Sequence, residues 1–460
     1  MSKDEKSIIN NQKIEVFEKE QFVNLHSACS IGNGILKLDE EYQNRLIQLF
    51  FDEQPRFSFF IPASGSGSRM FNFLFNHEST PHNSNEINTF VKNLSKFAFY
   101  SLIPSDEREK MKDDDPKHIA DFLLSSGGMN FSNLPKGLIP FHFVDGVIYN
   151  PFQEQVAQAN DLMLKRGEIH FTIQEGFEEI VQRSINELSP LKKSKLKVSY
   201  SNQKSVTDAY CFDNDQNELI EEGGYLRRPS GHGALIQNLN LIDDDVVLIK
   251  NIDNVQHYSR SEHSNATWRM VMGLLLEFKK DLRKLRTSYS KEGIYELNRK
   301  YDFLSDSELK QFNASDLERI ISRPSRVCGM VKNEGGPGGG PFWVRDKDQI
   351  TKQIVEGVEI SEVEDQKNVF RDSSHFNPVL MVISKTDLDG GALDLTDYVD
   401  DKKSIIVKKM YRGEEINYLE LPGLWNGSMS NWNSIFVEVS IDVFSPVKTA
   451  LDLLSIAHKD

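Results

Sequence analysis

Cysteine is scarce in this sequence, which has three cysteines in 460 residues. They are Cys29, Cys211 and Cys328, and they stand far apart in the chain. Zinc sites and disulfide-bonded scaffolds need closely and regularly spaced cysteines, so the sequence predicts neither. We interpret all three as reduced thiols of the core or the surface, and the core is favoured because free cysteine behaves as a small apolar residue.

Long hydrophobic runs and a surplus of positive charge are also missing. The apolar runs at residues 57–63 and 271–276 are far shorter than the roughly 20 residues that a membrane-spanning helix needs. Lysine and arginine number 54 against 69 aspartates and glutamates, a net charge of −15, which argues against nucleic-acid or membrane partners. The N-terminus is polar and lacks the apolar core of a secretory signal. We therefore expect a soluble, cytoplasmic protein, although a few local cations would still suffice to bind a nucleotide.

The hydrophobic residues, 38% of the chain with 29 phenylalanines, suffice for a sizeable core. Short apolar runs bounded by turn residues predict buried strands. These runs lie at residues 57–63, 169–173, 196–200, 246–250, 379–383 and 435–441. Helix-like segments such as residues 174–187 separate several of them, so we predict an α/β fold with a mixed, mostly parallel sheet and helices on both faces.

Three segments depart from this alternation. Residues 1–55 have apolar side chains at helical spacings and are predicted to form an N-terminal helical extension. Residues of about 71–130 and 262–322 are predicted helical insertions in a single domain spanning residues 56–460. That domain ends in a C-terminal segment of about residues 386–460.

A glycine-rich turn follows the first predicted strand. It consists of Ser64, Gly65, Ser66, Gly67 and Ser68, followed by Arg69 and Met70. Glycines let backbone amides approach phosphate oxygens without obstruction by a Cβ atom, and the arginine would add positive charge. The turn lacks the Gly-Lys-Ser/Thr of a P-loop, and Met70 replaces the third glycine of a dinucleotide fingerprint. A plain surface turn of serine and glycine is the alternative interpretation.

This turn, followed by Pro-Lys-Gly-Leu-Ile-Pro at residues 135–140, resembles the signature of the sugar-1-phosphate nucleotidylyltransferases. The resemblance implies a nucleotidyltransferase-like (glycosyltransferase-A-like) fold. It also implies that Lys136 binds nucleotide phosphates as a point charge. An exposed lysine without function is the alternative.

Further segments follow in the order of the UDP-sugar pyrophosphorylases. Residues 200–208 contain Gln203 and resemble the polar loop near the base or phosphates. Residues 228–234 resemble the Pro-x-Gly-His-Gly segment, which implies that Gly231, His232 and Gly233 hold the base. Residues 246–254 resemble the segment whose aspartate holds Mg²⁺, and this assigns Asp253; a helix N-cap is the alternative role.

Two C-terminal segments extend the resemblance. Residues 374–378 resemble an asparagine-containing segment, which implies that His375 contacts the sugar phosphate and Asn377 the metal. Residues 444–454 resemble Phe-x-Pro-Val-Lys-x-x-x-Asp-Leu, which implies that Lys448 reaches substrate phosphate.

Two remaining segments, residues 326–343 and 421–427, resemble instead the family known as domain of unknown function 4301. The first contains the glycine run of residues 335–341. This run is interpreted either as a lid over a sugar phosphate, with Lys332 and Glu334 at its rim, or as a plain loop.

The resemblance implies a Mg²⁺-dependent nucleotidylyltransferase that converts a nucleoside triphosphate and a sugar 1-phosphate into a nucleotide sugar and pyrophosphate. Arg69 and Lys136 would hold the pyrophosphate, and Lys448 would hold the sugar phosphate. A non-catalytic nucleotide or sugar-nucleotide binding protein on the same fold is the alternative, and a sugar transferase is a third. The base, the sugar and the oligomeric state stay open.

Overall fold

The computed structural model describes residues 3–18, 22–75, 84–111, 115–335 and 338–460. Among these residues, none of the helices combines the length and the apolar character needed to span a bilayer. Of the predicted glycine run at residues 335–341, residues 336 and 337 lie outside the described residues.

The helices of the described residues contain both predicted insertions. In chain order they are α1 (Lys3–Phe17), α2 (Glu40–Glu53), α3 (Asn72–Phe75), α4 (Ser84–Lys92), α5 (Ser105–Lys110), α6 (Pro116–Leu124), α7 (Pro151–Leu162), α8 (Glu178–Asn186), α9 (Ile236–Asn240), α10 (Ser261–Thr287), α11 (Lys291–Tyr301), α12 (Asp306–Gln311), α13 (Ala314–Ile321) and α14 (Glu364–Arg371). Helices α3 to α6 lie in the described part of the first predicted insertion, and α10 to α13 lie in the second.

The strands are mostly short. In chain order they are β1 (Leu25–Ala28), β2 (Ser30–Ile31), β3 (Gly34–Ile35), β4 (Phe57–Pro62), β5 (His142–Val144), β6 (Val147–Tyr149), β7 (Gly167–Thr172), β8 (Leu196–Ser201), β9 (Ala209–Tyr210), β10 (Ile220–Glu221), β11 (Gly224–Tyr225), β12 (Arg227–Arg228), β13 (Val246–Ile249), β14 (Ser325–Lys332), β15 (Gly340–Asp346), β16 (Gln349–Val355), β17 (His375–Phe376), β18 (Met381–Ser384), β19 (Ile405–Tyr411), β20 (Glu414–Glu420) and β21 (Asn433–Glu438). Each of the six strands predicted from apolar runs is present, with small shifts at its ends.

The chain divides into two compact units. Unit 1 consists of Met1–Glu53, Gln203–Leu248 and Met270–Val439. Unit 2 consists of Gln54–Asn202, Ile249–Arg269 and Ser440–Asp460.

In unit 2, strands β4, β7 and β8 run parallel to one another. The first five residues of β4 are buried, as expected for a strand covered on both faces. The chain after β13 continues beside β4, because Lys250 N donates to Phe60 O at 3.4 Å and Ile252 N to Pro62 O at 3.3 Å. Residues 250–252 and β4 therefore end at the same edge, where the predicted glycine turn begins.

The first helical insertion forms its own apolar core in unit 2. Its buried phenylalanines contact one another edge-on and stacked: Phe71, Phe90, Phe97, Phe99 and Phe131. Val447, Ala450 and Leu453 of the C-terminal segment belong to the same cluster. The insertion therefore supports the segment that carries Lys448.

In unit 1, strand β14 is the centre of a mixed arrangement. It pairs antiparallel with β17 and β18 and parallel with β21. Strands β1, β15 and β16 form a separate antiparallel sheet, and β19 and β20 form a hairpin. Together with the parallel strands of unit 2, this confirms the predicted mixed α/β fold with a mostly parallel sheet.

The N-terminal segment differs from the predicted helical extension. Helices α1 and α2 are present, but strands β1 to β3 lie between them. Leu25 pairs with Val344 of β15, and Leu36 N donates to Phe436 O at 2.8 Å. Pairing with strands distant in the chain outweighs the local helical pattern, so the prediction of an entirely helical segment was wrong here.

Candidate functional site

The glycine turn lies where β4 ends. Residues Gly67–Phe71 form a 3₁₀-helix, and Ser66 caps it by accepting a hydrogen bond from Ser68 N. The Ser66 and Ser68 hydroxyls are 2.8 Å apart, and Gln174 Nε2 donates to Ser64 O at 2.7 Å.

The two glycines of this turn have different surroundings. A Cβ atom on Gly67 would overlap Ile139 and the carbonyls of Leu134 and Phe131, whereas a Cβ on Gly65 would have no atom within 4 Å. Gly67 is thus required for packing, and Gly65 borders open space that a ligand could fill.

Lys136 lies directly beside this turn despite the intervening insertion. Lys136 N donates to Gly65 O at 2.8 Å, and Gly67 N donates to Leu134 O at 2.9 Å. The long separation in sequence is therefore bridged by antiparallel backbone pairing of Ser66 with Pro135. The Gly67 amide is occupied by this pairing, so the prediction that it contacts phosphate would require the Leu134 bond to exchange.

Asp253 follows β13 at the same edge and is held by its own loop. Gln155 of α7 donates from Nε2 to Asn251 O at 3.3 Å and Ile252 O at 3.3 Å. The same amide approaches Asn254 O at 3.5 Å. A buried glutamine thus fixes the backbone on both sides of Asp253, whose carboxylate is largely buried.

Lys448 completes the cluster from the C-terminal segment. Val447 N donates to Asp253 O at 3.1 Å, which anchors the segment to the Asp253 loop. Asp452, at the third position of the following 3₁₀-helix, accepts from Lys448 N and Thr449 N, each at 2.7 Å, and forms a capping box with Thr449, the N-cap residue.

The side chains of Lys136 and Lys448 meet on one carboxylate oxygen. The Asp253 Oδ2 atom lies 2.7 Å from Lys136 Nζ and 3.4 Å from Lys448 Nζ. The side chains of Lys136 and Asp253 are 12% and 11% exposed, whereas that of Lys448 is 52% exposed. We call Lys136, Asp253 and Lys448 the lysine–aspartate cluster.

Burial and neighbouring charges shift the pKa values of this cluster in opposite directions. Burial by itself would raise the pKa of Asp253, but the charges and hydrogen bonds of Lys136 and Lys448 outweigh it and hold the pKa below its usual value. Burial lowers the pKa of Lys136 despite the attraction of Asp253. Asp253 is therefore ionised at neutral pH, in contact with two amino groups.

The donor set of the cluster offers Mg²⁺ one carboxylate, so tight binding of the ion needs further oxygen ligands from substrate. Among the described residues, there is no group of three or more His, Cys, Asp or Glu side chains that could hold a metal ion. Mg²⁺ is commonly bound through one or two carboxylates plus substrate phosphates and water. Asp253 can supply one carboxylate, so phosphate oxygens would have to supply further ligands.

Arg69 lies on the 3₁₀-helix that follows the turn, and its side chain is exposed. Its predicted contact with the pyrophosphate stays a prediction.

The predicted base-binding residues belong to unit 1. A Cβ atom on Gly233 would overlap the carbonyl oxygens of Leu421 and Pro422, and one on Gly231, where φ is 74°, would overlap Glu420. The His232 ring stacks on Trp425 with centroids 4.2 Å apart. The chain's own residues 420–425 therefore occupy the space beside both glycines.

Other predicted residues of unit 1 have internal partners too. Asn377 accepts from Val379 N at 3.1 Å through Oδ1, the atom a metal would need. His375 Nε2 lies 3.4 Å from Glu438 Oε1. Among the described residues, the buried amide nitrogens of Asn377 and Gln203 are left without a hydrogen-bond partner. Lys332 and Glu334, at and beyond the end of β14, are exposed.

Gln155 and Asp452 were missed from the sequence. Helix α7 carries a dense polar run, and the structure shows that Gln153, Glu154, Gln155 and Gln158 are all buried. Buried polar side chains need hydrogen-bond partners, so such a run indicates a structured polar interior.

Solved structures that are similar to this chain in fold include three at 7 to 12% sequence identity. UDP-glucose phosphorylase from Trypanosoma brucei is 11% identical, with a TM-score of 0.46, covering 98% of this chain and 75% of that chain. A variant of UDP-glucose pyrophosphorylase from Leishmania major is 12% identical, with a TM-score of 0.44, covering 97% and 74%. The inositol-1-phosphate CTP transferase from T. maritima is 7% identical, with a TM-score of 0.32, covering 84% and 86%.

No curated protein matches the sequence. A family model described as domain of unknown function (DUF4301) matches residues 2–459, nearly the whole chain. The protein therefore belongs to the DUF4301 family.

Proposed function

We propose that this protein is a Mg²⁺-dependent nucleotidylyltransferase that makes a nucleotide sugar and pyrophosphate from a nucleoside triphosphate and a sugar 1-phosphate. The observation that carries the proposal is the meeting of Lys136 and Lys448 on Asp253, with the backbone of Lys136 bonded to Gly65 of the glycine turn.

The position of the cluster supports this proposal. It lies in unit 2 where β4 and residues 250–252 end, and ligands of α/β sheets bind outside the carboxyl ends of their strands. Two amino groups within reach of one point suit an anion with several oxygens, such as a polyphosphate. The negative net charge of the chain is no obstacle, because the binding charge is local.

The chemistry requires positioning and charge neutralisation more than a protein nucleophile. A phosphate oxygen of the sugar 1-phosphate would form a bond to the α-phosphorus, and the bond from that phosphorus to the bridging oxygen would break. Pyrophosphate would leave with the electron pair. Lys136 and the turn at Gly65 would hold the departing pyrophosphate, and Lys448 would orient the attacking phosphate.

Magnesium, when bound with the substrate, would neutralise phosphate charge next to Asp253. Arg69 as a pyrophosphate contact stays part of the proposal, and the metal contact of Asn377 stays a prediction.

The test is release of pyrophosphate from a panel of nucleoside triphosphates and sugar 1-phosphates in the presence of Mg²⁺. At least one pair should give turnover, and Lys136→Met should lower kcat by roughly 10²–10³-fold, the usual effect of removing one group that stabilises transition-state charge. The matched control is Lys197→Met, which removes a lysine of unit 2 that is 74% exposed and paired with Glu168. This control should leave kcat unchanged.

Two outcomes would contradict the proposal. Equal losses in both lysine variants would show that Lys136 has no special part. Triphosphate binding without pyrophosphate release across a broad panel would favour a non-catalytic nucleotide-binding protein instead.

A further inference from the structure

The lysine–aspartate cluster places two donors on one acceptor atom. Lys136 Nζ and Lys448 Nζ both contact the Oδ2 atom of Asp253, at 2.7 and 3.4 Å. The backbone around them is fixed separately, since Lys136 N bonds to Gly65 O, Val447 N to Asp253 O and Lys448 N to Asp452. The ammonium groups can therefore change partners without moving the chain.

A polyphosphate would compete directly with Asp253 for these lysines. It offers each ammonium group its own oxygen and carries more negative charge than one carboxylate, so the exchange relieves the crowding of two like charges at a single atom. The half-exposed Lys448 can turn outward freely. Lys136, which is mostly buried, is bonded through its backbone amide to Gly65, whose open face is where its new partner would arrive.

We propose that Asp253 acts as a stand-in for substrate phosphate: it holds both lysines in the free protein and releases them when the triphosphate binds. Once the lysines have left, the Asp253 carboxylate can bind a metal ion. Metal and triphosphate binding are thereby coupled, because the free protein has its metal-binding carboxylate engaged by lysines. This inference rests on the proposed function for the identity of the anion.

The first test measures binding of inorganic tripolyphosphate by calorimetry in the presence of EDTA. Asp253→Asn removes the competing charge while keeping an acceptor oxygen, so it should bind tripolyphosphate about tenfold more tightly than the wild type. Asp253→Ala is a second variant that should change affinity in the same direction. Circular dichroism and thermal unfolding verify that both variants are folded.

The matched control is Asp452→Asn. Asp452 is close in the chain to Lys448, but it bonds to backbone amides rather than to the lysine side chains. Its variant should change tripolyphosphate affinity by less than about threefold, the size of a general charge effect. Equal gains in Asp253→Asn and Asp452→Asn would overturn the exchange, and so would unchanged or weaker binding in Asp253→Asn.

The second test measures Mn²⁺ binding to the free protein by electron paramagnetic resonance, without phosphate. Lys136→Met removes the lysine that lies closest to the Asp253 carboxylate. The variant should therefore bind Mn²⁺ at least about threefold more tightly than the wild type. Unchanged or weaker Mn²⁺ binding would overturn the coupling.

Failure of the exchange and failure of the proposed function have different signatures. If pyrophosphate is released from a substrate pair while the variants bind tripolyphosphate and Mn²⁺ with the same affinity as the wild type, only the exchange is wrong. If no substrate pair reacts and Asp253→Asn still binds tripolyphosphate more tightly, the exchange holds and the enzymatic activity is wrong.

Discussion

The two glycine-rich turns of this protein look alike in sequence and differ in structure. In unit 2, Gly65 faces open space, and the nearby side chains of Lys136 and Lys448 supply positive charge. In unit 1, Gly231 faces the Glu420 side chain and Gly233 faces the backbone of Leu421 and Pro422, so the chain itself fills this space. A glycine motif therefore indicates ligand approach only where the space of the missing Cβ is empty.

Acidic side chains near the turn of unit 1 strengthen this contrast. Trp425 Nε1 donates to Glu356 Oε1 at 3.1 Å, and Asn426 Nδ2 donates to Glu359 Oε2 at 2.7 Å. Burial, together with the charge of Glu356, raises the pKa of Glu359 to about 7. Acids and aromatic rings thus line the turn of unit 1, while amino groups line that of unit 2.

The largest expected effect on stability comes from a substitution that disrupts the packed turn of unit 1. In Gly233→Ala the new methyl group would overlap the backbone carbonyls of Leu421 and Pro422, which cannot move without shifting the chain. Overpacking of this kind costs about 3 kcal/mol of unfolding free energy, measured by urea denaturation followed through tryptophan fluorescence. An unchanged urea midpoint would mean that residues 421–422 yield easily, and the distinction between the two turns would fail.

How far the sequence predicts this arrangement differs between the two turns. The apolar run of β4, the glycine turn after it and the resemblance at Lys136, Asp253 and Lys448 identified the residues that the structure brings together in unit 2. They could be found because each follows a local signal, a strand or a short motif. Gln155 follows no motif, and its role depends on which loop packs against α7.

The surroundings of Gly231 and Gly233 could not be predicted. Their neighbours are residues 420–422, far along the chain, and only tertiary structure brings the two segments together. The strands between α1 and α2 escaped prediction for the same reason, because a strand as short as Leu25–Ala28 is defined by its partner β15 and not by its own pattern.

The next prediction tests the acidic character of the unit 1 turn through Glu359. The folded protein keeps a proton on Glu359 up to about pH 7 that the unfolded chain loses near its ordinary pKa of about 4.5. The folded state thus binds more protons in this window, and stability falls as pH rises through it. Glu359→Gln removes the charge, so it should be more stable than the wild type above pH 7, by about 2 kcal/mol, and similar to it below pH 4.5.

Urea denaturation at pH 4.5, 6 and 8 measures this difference. Glu362→Gln is the matched control, because the Glu362 side chain is 90% exposed and its replacement should give no pH-dependent gain. A Glu359→Gln gain that is equal at all three pH values would contradict the assignment of the effect to a buried charge.

The smallest expected effect on stability is that of a substitution at Gly65, the glycine of unit 2 that faces open space. Gly65→Ala places a methyl group where no atom lies within 4 Å, so the unfolding free energy should stay within about 0.5 kcal/mol of the wild type. The same methyl would stand between the turn and an approaching phosphate, so affinity for inorganic tripolyphosphate should fall by about tenfold, or about 1.4 kcal/mol.

Gly127→Ala is the control, since the nearest atom to its added Cβ, Ser125 Oγ, is 3.9 Å away, and it should alter neither quantity. Full tripolyphosphate affinity in Gly65→Ala would mean that the open space beside Gly65 is not where phosphate binds, and the difference between the two turns would then concern packing alone.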